Sequence, residues 1–577
     1  MHRSMETRRH TLLRSRDDDI LAAMANRPNS LNRRRVLAGG AAGSVLGFTG
    51  LSAQPPSSSN VKVSIVLDGV TYGYPDGAKI PSYYVLFRRD GSITFHLGAL
   101  GNLSATSVSE PPKPYHLPSH QVRIERDGKI VLDETLPAHW WNARWNYRPK
   151  PIAIIKTPAQ IVAARRMFPY GRTGASVPPP RPRVPYRLMG ASSIVRGMPL
   201  TGERPDIGLI TDNSGYFMLG DSSDPMIDWA LSAASCPMHY RDESTGKPID
   251  LIKYPTANTY STPAQGKPWL LRGPMIAEGG GLWPTWGGEW IPQQAHYTEM
   301  SYVAYMATED PAFLEDLQYS ANFTVMCDAY VSATLKKATL HGEYRGVAWA
   351  LRNLFMAHAA TQDAEAAGTL PESCMPSRYF KTLLDNALAF YSASMKDPTR
   401  QAFRLVSDLV IAGNPRVPVF APWQCDYMLT ALPLGVLTGH VDWTPLYLWA
   451  LGNAIARTDA ASGYPPGWGG AYYLDGTKPD WQSAFLAGVP GLGGAEPPTA
   501  EQVASLKADP YHGGVPMQGV EYLMTTRAVL VMADYLDKKG LAGVRQAYPN
   551  FDICLKNMDR MFSASGRVNA RVSVVAA

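Results

Sequence analysis

Between residues 61 and 125 apolar and polar side chains alternate with a period of two. Val61-Lys62-Val63-Ser64-Ile65-Val66-Leu67 sets the pattern, and Tyr83 to Arg88, Ser92 to Leu97 and Gln121 to Glu125 repeat it. Such alternation turns one side of each segment toward a core and the other toward solvent, so all four read as strands. Asp90-Gly91 and Asp127-Gly128 read as their hairpin turns, because Asp and Gly accept the positive φ that tight hairpins require. The pattern predicts an antiparallel β-rich module over residues 54–137. Residues 138–204 lose the alternation. Trp140, Trp141, Trp145 and the run Pro178-Pro179-Pro180 make this stretch a wrapped connector, interrupted by one short helix from Ala159 to Phe168.

From residue 205 the period changes to that of amphipathic helices, predicted near 208–219, 225–235, 296–308, 311–330, 344–360, 376–396, 422–438, 443–458, 519–538 and 541–562. Ser223-Asp224-Pro225 and Glu309-Asp310-Pro311 place Asp at a helix N-cap and Pro at the first helical position, where a missing N–H costs nothing. Each follows closely on another apolar segment, the signature of helix, tight turn, helix. The fold class expected is mainly α: an α/α-hairpin toroid over 205–577 behind an N-terminal antiparallel β module. Closing the array would bury the inner helix faces without leaving unpaired ends. No fixed repeat length of the tetratricopeptide kind is visible.

The net charge of +6 changes this picture only at the N-terminus. Residues 1–53 hold nine Arg, no Lys and four acids, which leaves 46 basic and 45 acidic residues downstream. Nucleic acid is therefore not an expected partner, since no basic field remains to hold a polyanion. Asn32-Arg33-Arg34-Arg35 precedes an apolar run rich in Gly and Ala, Val36 to Leu51, and then Ser52-Ala53. A basic segment, a short apolar segment and a small exit residue are the layout of an export signal; the run is too short for a membrane helix. It resembles a twin-arginine signal, with Arg33-Arg34 as the pair. That implies passage through the twin-arginine export machinery to the periplasm or the exterior, and a mature protein without a transmembrane anchor. The cysteines, Cys236, Cys327, Cys374, Cys425 and Cys554, form no CxxC pair and read as buried thiols, so no cofactor or metal is expected on sulfur ligands.

Unusual residues gather in two long loops. Pro255 to Gln294 contains Trp269, Trp283, Trp286 and Trp290, and Ser462 to Pro516 contains Trp468, Tyr472, Tyr473 and Trp481. Loops this long inside a domain are commonly functional. Their aromatic rings either pack the loops onto the helices or offer flat faces against which pyranose rings stack. Polar clusters recur near the predicted helix starts: Gly202 to Gly208 with Asp206, His239-Tyr240-Arg241-Asp242-Glu243, His296 with Glu299, Glu343 to Trp349 with Arg345, and Pro422-Trp423-Gln424-Cys425-Asp426. Asp206 serves equally well as a helix cap, and His296 with Glu299, three apart on one helix face, as a capping or core pair. Asp426 in an apolar helix is costly unless paired, which favours a purpose. No HExxH, nucleotide-binding glycine loop or G-x-S-x-G elbow occurs, so no metal or dinucleotide cofactor is expected.

A strand-rich module followed by α-hairpins with aromatic loops and polar clusters resembles the α/α-toroid carbohydrate-active enzymes, the six-hairpin glycosidases and toroid polysaccharide lyases. Arg345-Gly346-Val347-Ala348-Trp349 is similar to the Arg-Gly-x-Ala-Trp stretch of the unsaturated glucuronyl hydrolases. Gly202 to Gly208, His239 to Glu243 and Ala421 to Asp426 also resemble segments of a broad, poorly characterised exported bacterial family. The resemblance implies cleavage of glycosidic bonds in a polysaccharide or oligosaccharide. Asp242, Glu243, Asp426, Asp206, His239 and Glu299 form the catalytic pool, and Arg241, Tyr240, His296, Arg345, Trp349, Trp286, Trp290, Trp423 and Trp468 the substrate-binding one. Hydrolysis would pair a carboxylic acid with a carboxylate. A lyase would instead neutralise a uronate with Arg241 or Arg345 while His239, His296 or Tyr240 removes the C5 proton. A non-catalytic glycan-binding or export-assembly protein is the remaining class.

Overall fold

The computed structural model describes residues 61–74, 83–97, 116–194, 208–254, 296–326, 344–406, 419–464, 474–484, 517–565 and 572–575, apart from residues 173–176 and single positions such as 68, 89, 141, 191, 243, 463 and 482. Within them, β1 (Val61–Leu67), β2 (Val70–Tyr74), β6 (His120–Arg126) and β7 (Lys129–Leu136) form an antiparallel sheet in the order β2-β1-β6-β7. A second antiparallel sheet joins β3 (Tyr83–Phe87), β4 (Ile93–Leu97) and β9 (Arg144–Tyr147), and β5 (His116–Leu117) pairs with β8 (His139–Trp140). All four predicted strands are present, and both Asp-Gly turns bend as expected: Gly91, Asp127 and Gly128 have positive φ. The period-two side buries Val61, Val63, Ile65, Val122 and Ile124 in one core with Phe95, whose ring stacks on Trp145 at 4.0 Å. The stretch read as a connector thus supplies β9 and a core tryptophan to the second sheet.

Twelve helices follow among the described residues. They are α1 (Pro158–Ala163), α2 (Asp212–Met218), α3 (Asp224–Ala233), α4 (Tyr302–Thr308), α5 (Pro311–Met326), α6 (Tyr344–Ala366), α7 (Ser377–Ser392), α8 (Pro422–Leu437), α9 (Thr444–Thr458), α10 (Met517–Lys538), α11 (Val544–Ala547) and α12 (Phe551–Ser565). Short connections join α2 to α3, α4 to α5, α6 to α7 and α8 to α9, as helix-turn-helix patterning predicts. About half of the described residues are helical, and a small antiparallel β module precedes them. A last pair of short strands, β10 (Val419–Phe420) and β11 (Leu474–Asp475), brackets the entry to α8.

Three of the boundaries that differ from the sequence pattern have a clear local reason. The first helix ends at Ala163 rather than running to Phe168, because Arg165 turns the chain at positive φ and sends Met167 and Phe168 into the core. The helix expected from 296 starts at Tyr302, since the Glu299 carboxylate accepts the backbone N–H groups of Tyr302 (2.5 Å) and Val303 (3.4 Å) and so marks the helix entry itself. His296 and Glu299 therefore do not share a helix face. The helix expected over 541–562 is two, α11 and α12, because Pro549 bars Tyr548 from the helical region; its φ of −135° and ψ of 87° are extended. A smaller shift concerns Ser223, which stands at the N-cap position of α3 in place of Asp224. In the second capping motif Asp310 accepts the Ala312 N–H at 2.9 Å, as expected.

The helices pack in two populations. α6 and α8 are parallel neighbours: Arg345 lies over Trp423, Trp349 meets Tyr427, and Phe355 meets His440. α8 and α10 are likewise parallel, through Trp423 with Tyr522 and Asp426 with Thr526. α8 and the first five turns of α6, buried on all sides, form the interior; α7 and α9 run back outside them, α7 with a single apolar stripe. The α6–α8 interface is close enough that a Cβ on Gly435 would stand 2.5 Å from the Phe355 ring. Gly435→Ala is expected to destabilise the protein by about 1–3 kcal/mol through overpacking, despite the gain in helix propensity. Urea unfolding measures this; an unchanged or higher midpoint would show that Phe355 has room to yield.

Candidate functional site

The described site residues fall into three groups, each made by helix ends. The first centres on α6. Arg345, Trp349 and Arg352 follow one another at spacings of four and three, which aligns them along one face of the helix. At its start, Arg345 lies over the fully buried Trp423 ring at 5.3 Å, and Trp423 in turn meets Tyr427 and Tyr522. Trp349, also fully buried, sits between Tyr427 at 4.6 Å and the Arg352 guanidinium at 4.7 Å. Both tryptophans are thus packing elements rather than exposed platforms.

Asp426 joins this group from α8. Its carboxylate receives two bonds from Arg457 of α9 and one from the Thr526 hydroxyl of α10 at 2.5 Å. Burial pushes the Asp426 carboxyl up, and Arg457 works against that rise. The sequence reading demanded a partner for this acid without finding it. Arg457 carries a usable signal, a guanidinium two residues beyond the largely apolar stretch Leu446 to Ile455.

Arg352 leads to the second group. Its guanidinium donates to the carbonyl oxygens of Gly208 and Tyr297, gathering the entries to α2 and α4. Glu299 lies there, accepting the Ser214 hydroxyl at 2.9 Å besides its helix-entry bonds. Burial raises its carboxyl above the usual range, with Ser214 and Arg352 offsetting part of the rise. His296 is buried in the lead-in to the same corner.

The third group is the seam between the β module and the helices. His239 is fully buried: Nδ1 faces the Cys236 carbonyl at 2.9 Å and Nε2 faces Asp316 Oδ1 at 3.1 Å. Burial holds its imidazole below the ordinary value. Around it Arg144 bonds Glu315 and Asp316, Arg88 reaches Glu315 at 2.8 Å, and His96 donates to the His239 carbonyl at 2.6 Å. Burial works to raise the Glu315 carboxyl, but the Arg88 and Arg144 guanidiniums outweigh it and hold it at about 2. Tyr240 stacks parallel to Phe323 at 6.2 Å, and Arg241 is buried beside it in a bridge to Pro248. Asp242 closes its own turn, accepting the Ser244 N–H at 2.8 Å and its hydroxyl at 2.7 Å. The His239 cluster, read from sequence as catalytic, is here bound into the joint between modules and does not share partners with Asp426. Glu315 and Asp316, the acids that organise the joint, escaped the sequence reading because Pro311 to Gln318 looks like an ordinary amphipathic turn.

Asp206, Glu243, Trp286, Trp290 and Trp468 lie outside the described residues, as does the export segment. Four cysteines, Cys236, Cys374, Cys425 and Cys554, are buried thiols; Cys327 is outside the described residues. Among the described residues no helix is long and apolar enough to cross a membrane, and no group of three or more His, Cys, Asp or Glu is placed to hold a metal ion. Compared with protein-family models, curated proteins and solved structures, the chain matches none.

Proposed function

We propose that this is an exported carbohydrate-active enzyme that cleaves glycosidic bonds in a polysaccharide or oligosaccharide, its helices arranged as an α/α toroid. The observation that carries the reading is the α6 line, Arg345, Trp349 and Arg352, which ties the entries of α2 and α4 to the Asp426 corner at the start of α8. In the chain Asp206 precedes α2, Trp286 and Trp290 precede α4, and Trp468 precedes β11. In this reading the polar groups of a bound sugar chain would meet the Arg345 guanidinium at the start of α6.

In this reading Asp426, raised by burial, is one carboxyl group of an acid/base pair and Asp206 the other. The alternative, a lyase acting on a uronate, draws on a specific observation. Each described candidate carboxylate already has partners: Asp242 has Ser244, Glu299 has Ser214, and Asp426 has Arg457. Arginines such as Arg345 would then neutralise the uronate. Incubating the protein with a panel of neutral and acidic glycans separates the two, because hydrolysis yields new reducing ends alone and lysis also an unsaturated, ultraviolet-absorbing product. Asp206→Asn is expected to lower kcat by about 100-fold or more without changing the melting temperature. A folded protein that cleaves no glycan overturns the proposal, and full activity in Asp206→Asn removes Asp206 from it.

A further inference from the structure

At the end of α6 and α8 remote from Arg345, a cavity of about 180 Å³ opens between α6, α7 and the turn after α8. Its lining includes His358, Gln362, Lys381, Asp385, His440 and Asp442. Gly439, at φ +105°, turns the chain after α8 so that His440 comes to face His358. The two rings lie 4.6 Å apart, centre to centre, with planes inclined at 57°. Their relative exposures are 5% and 8%.

These histidines differ from the other described ones that are buried within the β module and its seam. His96, His120, His139 and His239 each set a ring nitrogen against a carbonyl or carboxylate oxygen. His358 Nδ1 and His440 Nε2 are buried and have no hydrogen-bond partner among the described residues. Two orphaned imidazole nitrogens at one cavity are an unexplained cost in a folded chain, and a ligand that accepts lone pairs would remove it.

We propose that His358 and His440 together bind one divalent first-row transition-metal ion, of the Cu²⁺, Ni²⁺ or Zn²⁺ class, in this cavity. The geometry suits such an ion. With metal–nitrogen bonds of about 2.1 Å, two imidazoles in adjacent coordination positions have centres about 4.5–5 Å apart. The measured separation falls in that interval. Size points the same way: sites for organic ligands usually enclose about 300–1,000 Å³, whereas this cavity suits an ion with several waters at about 30 Å³ each. Imidazole is a preferred donor for these metals. Lys381 lines the cavity but is neutralised by Asp385 at 2.7 Å, so the Asp442 carboxylate at the rim adds negative charge for a cation. With only two protein ligands, water completes the shell and the ion exchanges; it is not a folding staple.

The test uses untagged full-length protein freed of metal by chelator and dialysis, titrated calorimetrically with CuCl₂, NiCl₂ and ZnCl₂. One ion per chain is expected, with Cu²⁺ bound most tightly. His358→Gln and His440→Gln are each expected to weaken binding by about tenfold or more, and His120→Gln to leave it unchanged. Wild-type protein with one Cu²⁺ is expected to show electron-paramagnetic coupling to two imidazole nitrogens, a readout that stands even if a variant fails to fold. Non-stoichiometric binding, coupling to fewer than two imidazoles, or unchanged affinity in both cavity variants overturns the site.

Discussion

Asp426→Ala is expected to lower the stability of the protein by about 3–5 kcal/mol, because it leaves the Arg457 guanidinium buried and without its charge partner. Arg457 is 2% exposed and Asp426 fully buried, so water cannot take the place of the missing carboxylate. The Thr526 hydroxyl loses its acceptor on α8 and keeps only the Tyr522 carbonyl of its own helix, which loosens α10 from α8. Urea unfolding of the single variants and of the double variant Asp426→Leu with Arg457→Met reads the effect. The double variant should be more stable than either single one, since an apolar pair of similar volume can replace a buried ion pair at little cost. The same series separates two roles of Asp426. If Asp426→Ala keeps the stability of the unsubstituted protein while glycan cleavage disappears, the carboxylate is catalytic and its bond to Arg457 is incidental. If stability falls as expected, loss of activity in that variant says nothing by itself, and Asp206→Asn becomes the informative substitution.

Arg144→Met is expected to have an effect of similar size, about 3–5 kcal/mol, at the joint between the β module and the helices. Arg144 bonds both Glu315 and Asp316, and its removal leaves Glu315 with Arg88 as its one charge partner and Asp316 with only the His239 ring. The joint also predicts how stability depends on acidity. Glu315 is held at about 2 in the folded protein against an ordinary 4.5. Between those values the unfolded chain binds a proton that the folded chain refuses. The stabilisation is therefore complete above about pH 4.5 and is lost as pH falls toward 2. Urea midpoints at pH 6, 4 and 3 should fall more steeply for the unsubstituted protein than for Glu315→Gln. Parallel decline in the two would mean that other acids govern the loss.

Much of the fold is legible in local pattern. Val61, Val63 and Ile65 announce β1 by alternation, and Asp127-Gly128 its neighbour's turn, because both signals are short-range sterics and burial. The helix of 422–437 is readable from its apolar length and from Pro422 at its first turn. Pattern misleads where a competing local rule acts within a helical period: Pro549 split one helix, and the Glu299 side chain delayed another. The candidate site is less legible. Trp349 and Trp423 look like sugar platforms in sequence, yet the helices enclose both. His239 and Asp242 look like a reactive cluster, yet one ties two modules and the other closes a turn. The need of Asp426 for a partner is legible in the sequence, and the partner lies 31 residues away on the next helix.

By itself, then, the sequence determined the order of its elements, a β module before paired helices, the burial of its four described cysteines and the near-neutral charge beyond the N-terminal segment. These follow from composition and from periods of two and 3.6 that any chain segment carries within itself. The tertiary structure alone decided which charges meet. Asp426 with Arg457, Arg144 with Glu315 and Asp316, and His358 facing His440 are pairings across helices and modules. The reason is that a buried charge or imidazole must find a partner within a few ångströms, while the chain offers many at every separation; only packing selects among them.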